Sequence, residues 1–224
     1  GVLRHNLGER LRYNQLLNRI EVDGVPMPPA QVELFYCALA EKGWKIDKNK
    51  AVDAIRCVAL LNAYNPVEMY LDSIAADDSI EAIDLDQVAT QYLGTSDPLY
   101  DGMLACTLIG MVCRSYEPGC KLDTICVLYG RQGIGKSSFW KALASKPWFI
   151  DTTQPNRKEM LQAIHSCWVL ELAELDAITG NKATGEMKAL ASSATDSYQV
   201  PYGRAVEPHE RMSVLVSSVN KRNI

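Results

Sequence analysis

The stretch GRQGIGKSS, beginning at Gly130, follows directly on the apolar run 125–129 and leads into the helical pattern SSFWKALA. Gly130, Gly135, Lys136 and Ser137 match the spacing G-x-x-x-x-G-K-[ST]. Each residue type has a reason to be there. Glycine lets the backbone bend so that successive N–H groups converge on an anion. Lys136 places a point charge beside it, and the Ser137 hydroxyl is available to Mg²⁺. The N-terminus of the following helix adds its positive dipole end. Gln132, Gly133, Ile134 and Ser138 complete the same cradle. The alternative is a plain strand–turn–helix that holds nothing.

A loop of this kind needs a covered parallel sheet around it. After Pro118 the chain supplies four short β-rich runs: TICVLY, WFID from Trp148, CWVLEL from Cys167 and MSVLVSS from Met212. Helical patterns over 137–145 and 156–165 separate the first three. Continuous apolar strands alternating with helices predict a mostly parallel sheet with both faces covered.

Before Pro118 the pattern reads differently. Residues 1–17 are polar and arginine-rich, and VDGVPMPPA (22–30) reads as a connector with an Asp-Gly turn and three prolines. Helical spacing of apolar residues follows from Gln31, over 48–64 and from Pro66. A further helix is capped by Ser96 or Asp97, with Pro98 in its first turn. The expectation is an all-helical N-terminal domain over 1–117 and a P-loop core over 118–224. The acidic run 77–87 reads as a solvated face.

The candidate partner of the phosphate loop is CWVLELAELD. It presents Glu171 at the strand tip, then Glu174 and Asp176. A P-loop enzyme needs one carboxylate for the Mg²⁺ shell and a further group to position or activate the nucleophile. Glu171 takes the metal role beside Ser137, and Glu174 is a candidate for activating water; Glu174 and Asp176 as plain helix caps is the other reading. Asn220 ends the last strand. There it is either an ordinary turn residue or an amide between the two other strands, holding the lytic water.

Charge and cysteine content exclude several classes. With 23 basic against 27 acidic residues the net charge is −4, which is not a free-standing basic nucleic-acid module. A ring can still present a basic channel on an acidic body. Seven cysteines include no C-x-x-C pair, and the three histidines lie far from the heptad-spaced Cys106, Cys113 and Cys120, so the pattern points to buried free thiols rather than a metal site. Apolar stretches fall short of the ~18 residues of a membrane span. No basic-then-apolar leader is visible, and the reading is a soluble cytoplasmic protein without a membrane partner.

Taken together, LRYNQLLNRIEVDG, NPVEMYLDSI, YEPGCKLDTICVLYGRQGIGKSSFWKALA, WVLELAELDAI, MKALASSATDSYQVPYGR and ERMSVLVSSVN resemble the virulence-associated E family of phage and plasmid replication proteins. That family is related to superfamily 3 helicases of the AAA+ class. The resemblance implies a ring-forming ATPase, hexameric by analogy, that uses ATP and Mg²⁺ to move along DNA with a primase as partner. Lys136, Ser137, Glu171 and Asn220 would then take the nucleotide roles. It also implies a channel-lining β-hairpin in SYQVPYGRAVEPHERMSV, with Tyr202, Arg204 and His209 as candidate nucleic-acid contacts.

The sequence departs from that pattern in three places. Leu172 follows Glu171 where a second acid is common. Gln199 stands where an arginine is usual. The chain ends at Ile224, before the family's paired arginines and a fifth core strand, so the core is expected to be truncated at its C-terminal end. Arg204 and Arg211 remain as arginine-finger candidates. Three functions are compatible with the residues: a replicative helicase or translocase, a nucleotide-gated replication scaffold that does not unwind, and a small-molecule kinase. The last lacks an arginine-rich lid.

Overall fold

The computed structural model describes residues 8–152, 156–172, 181–199 and 205–220. The chain divides into two compact units, Gly1–Met69 and Tyr70–Ile224.

The first unit is not all-helical, as its sequence had suggested. It contains a four-stranded sheet of β1 (Leu11–Asn14), β2 (Arg19–Val22), β3 (Val25–Pro26) and β4 (Ala63–Tyr64), in the order β3-β2-β1-β4. The reason lies in two tight turns. Asn18 at φ 49° helps reverse the chain between β1 and β2. Asp23 (φ 53°) and Gly24 (φ 77°) form a two-residue hairpin loop, the geometry favoured by an Asp-Gly pair. Leu11 and Ile20 turn inward and meet Val32 of α1 (Pro29–Glu41) and Ile55, Val58 and Ala59 of α2 (Lys48–Leu61). The Asp47 side chain caps α2 by accepting from the Asn49 and Lys50 amides. The helix expected to reach residue 64 stops at Leu61, because Ala63 and Tyr64 pair with β1 instead.

Helix α3 (Pro66–Ala75) carries the chain into the second unit. There follow α4 (Val88–Leu93) and α5 (Pro98–Tyr116), the latter capped by Asp97. The four β-rich runs expected from the sequence form one parallel sheet: β5 (Cys126–Tyr129), β6 (Phe149–Thr152), β7 (Val169–Leu172) and β10 (Val214–Val219). Its spatial order is β5-β10-β7-β6, so the last strand lies between the first and third. Helix α6 (Lys136–Ala144) packs on one face, burying Trp140 completely. On the other, Leu161 and Ile164 of α7 (Arg157–Ile164) meet Leu170, Leu172 and Leu215. Side chains of this size contribute about 1.5–3 kcal/mol each when fully buried.

The pattern along the sequence changes at Pro118, yet the chain divides at Met69/Tyr70. Helix α5 is bonded to the sheet region and belongs with it. The fully buried Arg114 donates to the carbonyls of Cys120 (3.2 Å), Leu122 (3.3 Å) and Ser213 (2.7 Å). Trp168, just before β7, donates its indole N–H to the Met111 carbonyl at 3.0 Å. All seven cysteines are free, as expected, but only Cys167 is buried; Cys57, Cys106 and Cys113 are exposed. A seven-residue spacing puts Cys106 and Cys113 on a common helix face, and that face of α5 points to solvent.

Helix α8 (Asn181–Ser192) leads to an antiparallel pair, β8 (Thr195–Tyr198) and β9 (Glu207–Glu210). Its root is a buried ionic cluster. Arg211 donates from Nε and Nη2 to both oxygens of Asp196 at 2.5 and 2.8 Å, and from Nη1 to the Leu190 carbonyl at 2.5 Å. His165 Nε2 lies 3.0 Å from Asp196 Oδ2. An ionised carboxylate only accepts, so that nitrogen carries the hydrogen. Burial by itself would raise the Asp196 pKa. The bonds from Arg211 and His165 outweigh it and hold the carboxyl well below the usual carboxylate range.

Removing one partner strands the other charge in the interior, at a cost of about 3–5 kcal/mol. Asp196→Asn should therefore lower the free energy of unfolding, measured by urea titration, by that amount at pH 7. Because the folded pKa is depressed, the stabilisation is complete above the unfolded value of about 3.9 and fades as pH falls below it. The gap between wild type and Asp196→Asn should accordingly narrow on acidification below about pH 4; a gap independent of pH would refute this role for Asp196.

Candidate functional site

The site is built where the carboxyl ends of three parallel strands meet. β5 delivers Gly130, whose amide still donates to the Val219 carbonyl of β10 at 3.2 Å. The loop then folds back on itself: a Cβ on Gly130 would lie 2.5 Å from Ile134 Cδ1. Gly133 (φ 83°) and Gly135 (φ 91°) occupy backbone conformations that L side chains rarely adopt. Gly135 is the N-cap of α6 and offers no side chain to its first amides. The leading N–H groups of a helix have no acceptor within it, so they face the exposed loop, where Gln132, Ile134, Ser137 and Ser138 lie at the surface.

Lys136 bends over this loop. Its Nζ donates to the carbonyls of Gly130 and Arg131, both at 2.9 Å, and to Asn220 Oδ1 at 3.0 Å. An ammonium has three hydrogens, and all three are used. Asn220 reaches it because β10 runs between β5 and β7. The insertion is held on both sides: β10 pairs with Cys126–Tyr129 along one edge and with Val169–Leu172 along the other. Ser217 reinforces it by donating to the Leu172 carbonyl at 2.7 Å.

The acidic strand completes the site. Ser137 donates from Oγ to Glu171 Oε1 at 2.9 Å. Glu171 is 2% exposed, and its Oε2 is buried with no hydrogen-bond partner among the described residues. A carboxylate withdrawn from water with one oxygen unsatisfied is costly unless something cationic or a water completes it. A hard cation beside Ser137 fits that requirement, since hydroxyl and carboxylate oxygens are its preferred donors. On the outer strand β6, Asp151 is paired in register with Glu171 and is exposed. The sequence reading did not pick it out, although it closes the run WFID as an acid at the end of an apolar stretch, much as Glu171 follows the apolar CWVL.

Gly130, Lys136, Ser137, Glu171 and Asn220, expected from the sequence to act together, are thus adjacent. Leu172, the neighbour of Glu171, is buried at 4% exposure and is no acid. Glu174, Asp176, Tyr202 and Arg204 lie outside the described residues. Two other expectations need correction. Arg211 has no exposed surface and is committed to Asp196, so it is not available as a finger for a neighbour. His209 packs against the rings of Tyr198 and His165, with centroids 4.7 and 5.8 Å away, and its Nε2 is buried. Burial, then the nearby His165, push its pKa down. A neutral, inward-turned imidazole is a poor phosphate contact.

Among the described residues, no group of three or more His, Cys, Asp or Glu side chains is arranged to hold a metal, and no helix is long and apolar enough to cross a membrane. No curated protein matches the chain. Among solved structures, an A-form apo structure of the NrS-1 C-terminal region aligns with 98% of this chain at a TM-score of 0.52 and 9% identity. An apo structure of the same region aligns with 63% at a TM-score of 0.44 and 12% identity. The chain spans 55% and 34% of the length of those two, and the first likeness is one of fold. A family model described as the virulence-associated protein E-like domain matches residues 71–224, beginning one residue into the second unit. The chain therefore belongs to the virulence-associated protein E-like family.

Proposed function

We propose that the second unit binds Mg–ATP on the Gly130–Ser138 loop and hydrolyses it to drive DNA replication in a phage, plasmid or other mobile element. In this reading it works as one subunit of a ring that translocates on DNA beside a primase. The observation that carries the nucleotide part is the convergence of Lys136, Asn220, Ser137 and Glu171 at one sheet edge, bonded at 3.0 and 2.9 Å.

The arrangement suits an exchange of partners. Lys136 now spends its three hydrogens on two loop carbonyls and Asn220. Phosphate oxygens are better acceptors, because both partners are then charged. As the ammonium turns to them, Asn220 is released, and its amide can orient a water against the terminal phosphate. The exposed first amides of α6 surround the anion. Ser137 and Glu171 are placed to hold Mg²⁺, which supplies charge neutralisation on the phosphates when bound. Membership of the family and the carboxyl-edge position of the loop support the replication part. The scaffold reading is favoured by one feature: no acid follows Glu171 on β7, where Leu172 is buried.

Lys136→Ala should weaken binding of a fluorescent ATP analogue about 100-fold, the loss of two charge-assisted bonds of about 1.5 kcal/mol each. Equal affinity in wild type and variant would remove the nucleotide reading. Asn220→Ala is expected to lower kcat for DNA-stimulated ATP turnover by about 10²–10³ while KM stays close to wild type, the pattern of a group that acts in the transition state. If wild-type protein binds ATP and assembles yet neither turns it over nor separates forked DNA, the scaffold replaces the motor.

A further inference from the structure

Among the described residues, the nucleotide reading leaves one part of the site without a residue. Mg²⁺ demands octahedral oxygen coordination and keeps several waters, and those waters need acceptors. Ser137 and one carboxylate do not supply them, and the position after Glu171 is the buried Leu172.

The sheet register points to the missing group. β6 and β7 are parallel and pair Asp151 with Glu171. Residues paired this way lie about 4.8 Å apart and project from the same face. That is the face carrying α6, since Glu171 accepts from Ser137 on that helix, and α6 packs against β6, β7 and β10. Asp151 is exposed at the carboxyl end of β6, on the strand next to Glu171, whose buried Oε2 has no hydrogen-bond partner among the described residues. It lies on the β6 side of Glu171, whereas Lys136 and Asn220 lie on the β10 side.

We propose that Asp151 is the second carboxylate of the Mg²⁺ site, accepting from metal-bound water on the side of Glu171 away from Lys136. This rests on the nucleotide reading above. Distance decides its role. Two strand spacings, about 10 Å, separate β6 from β10. A water attacking beside Asn220 is out of reach of so short a side chain, but a water on an ion held by Glu171 is not. Asp151 is therefore a positioning residue for the ion and not the base.

The test titrates Mg²⁺ into the chain with a fluorescent ADP analogue and follows nucleotide affinity, with bound Mn²⁺ read by electron paramagnetic resonance. Asp151→Asn should raise the half-saturating Mg²⁺ concentration about 10-fold, the usual effect of losing an outer-sphere carboxylate. Asp151→Glu should recover part of that, and binding in EDTA should be the same in all three proteins. Because Asp151 is exposed, the thermal midpoints should coincide. A half-saturating Mg²⁺ concentration unchanged in Asp151→Asn would make this residue an ordinary strand end and overturn the inference, while leaving the nucleotide site standing. Wild-type protein that binds no nucleotide at any Mg²⁺ concentration would instead overturn the reading on which it depends.

Discussion

Strand β10 is the constraint on which the second unit depends. It is hydrogen-bonded along both edges, to β5 and to β7, so it holds the glycine loop and the acidic strand at one fixed separation. Its own end, Asn220, is thereby delivered to Lys136. A one-residue slip would turn Val214 and Val216 off their face and move Asn220 to the wrong one. Four valines and leucines buried to 3% or less oppose such a slip.

Two buried carboxylates in this unit have opposite fates. Asp196 is saturated: Arg211 grips both oxygens and His165 adds a third bond. It behaves as a rivet at the root of β8–β9. Among the described residues, Glu171 has a hydroxyl on one oxygen and no hydrogen-bond partner on the other. The same low-dielectric surroundings that make the first cluster rigid make the second costly unless a cation or a water completes it. Arg114 belongs to the first kind, with three carbonyls around its guanidinium. Burial, and then the charge of Arg211, lower its pKa below the ordinary arginine value.

The first unit solves a different problem with similar means. Glu21 is 2% exposed and accepts from Arg19 Nε at 2.7 Å, from Asn14 at 3.1 Å and from the Tyr64 hydroxyl. Arg12 stacks over the Tyr64 ring, its carbon 3.7 Å from the centroid. This polar network ties β1, β2 and β4 together on the face opposite the Leu11–Ile55 core. Burial, with the bond to Glu21, pushes the Tyr64 pKa up.

Local chemistry made much of this legible in the chain. The glycines at 133 and 135, the Asp97 cap and the four apolar strands each report on a few neighbouring residues, which is the range over which backbone sterics and hydrogen bonding act. The small strands of the first unit were hidden, because Arg12 and Arg19 lie on their polar face and read as a charged tail. His209 read as a nucleic-acid contact and Arg211 as an arginine-finger candidate; only the packing of β8–β9 against α7 and α8 decides that one turns inward and the other is locked to Asp196. The sequence alone determined that a glycine loop, a lysine and a strand-end acid exist in this order. Which strands become neighbours, and hence that Asp151 stands beside Glu171 while Asn220 meets Lys136, is a property of non-local pairing, which no window of the sequence contains.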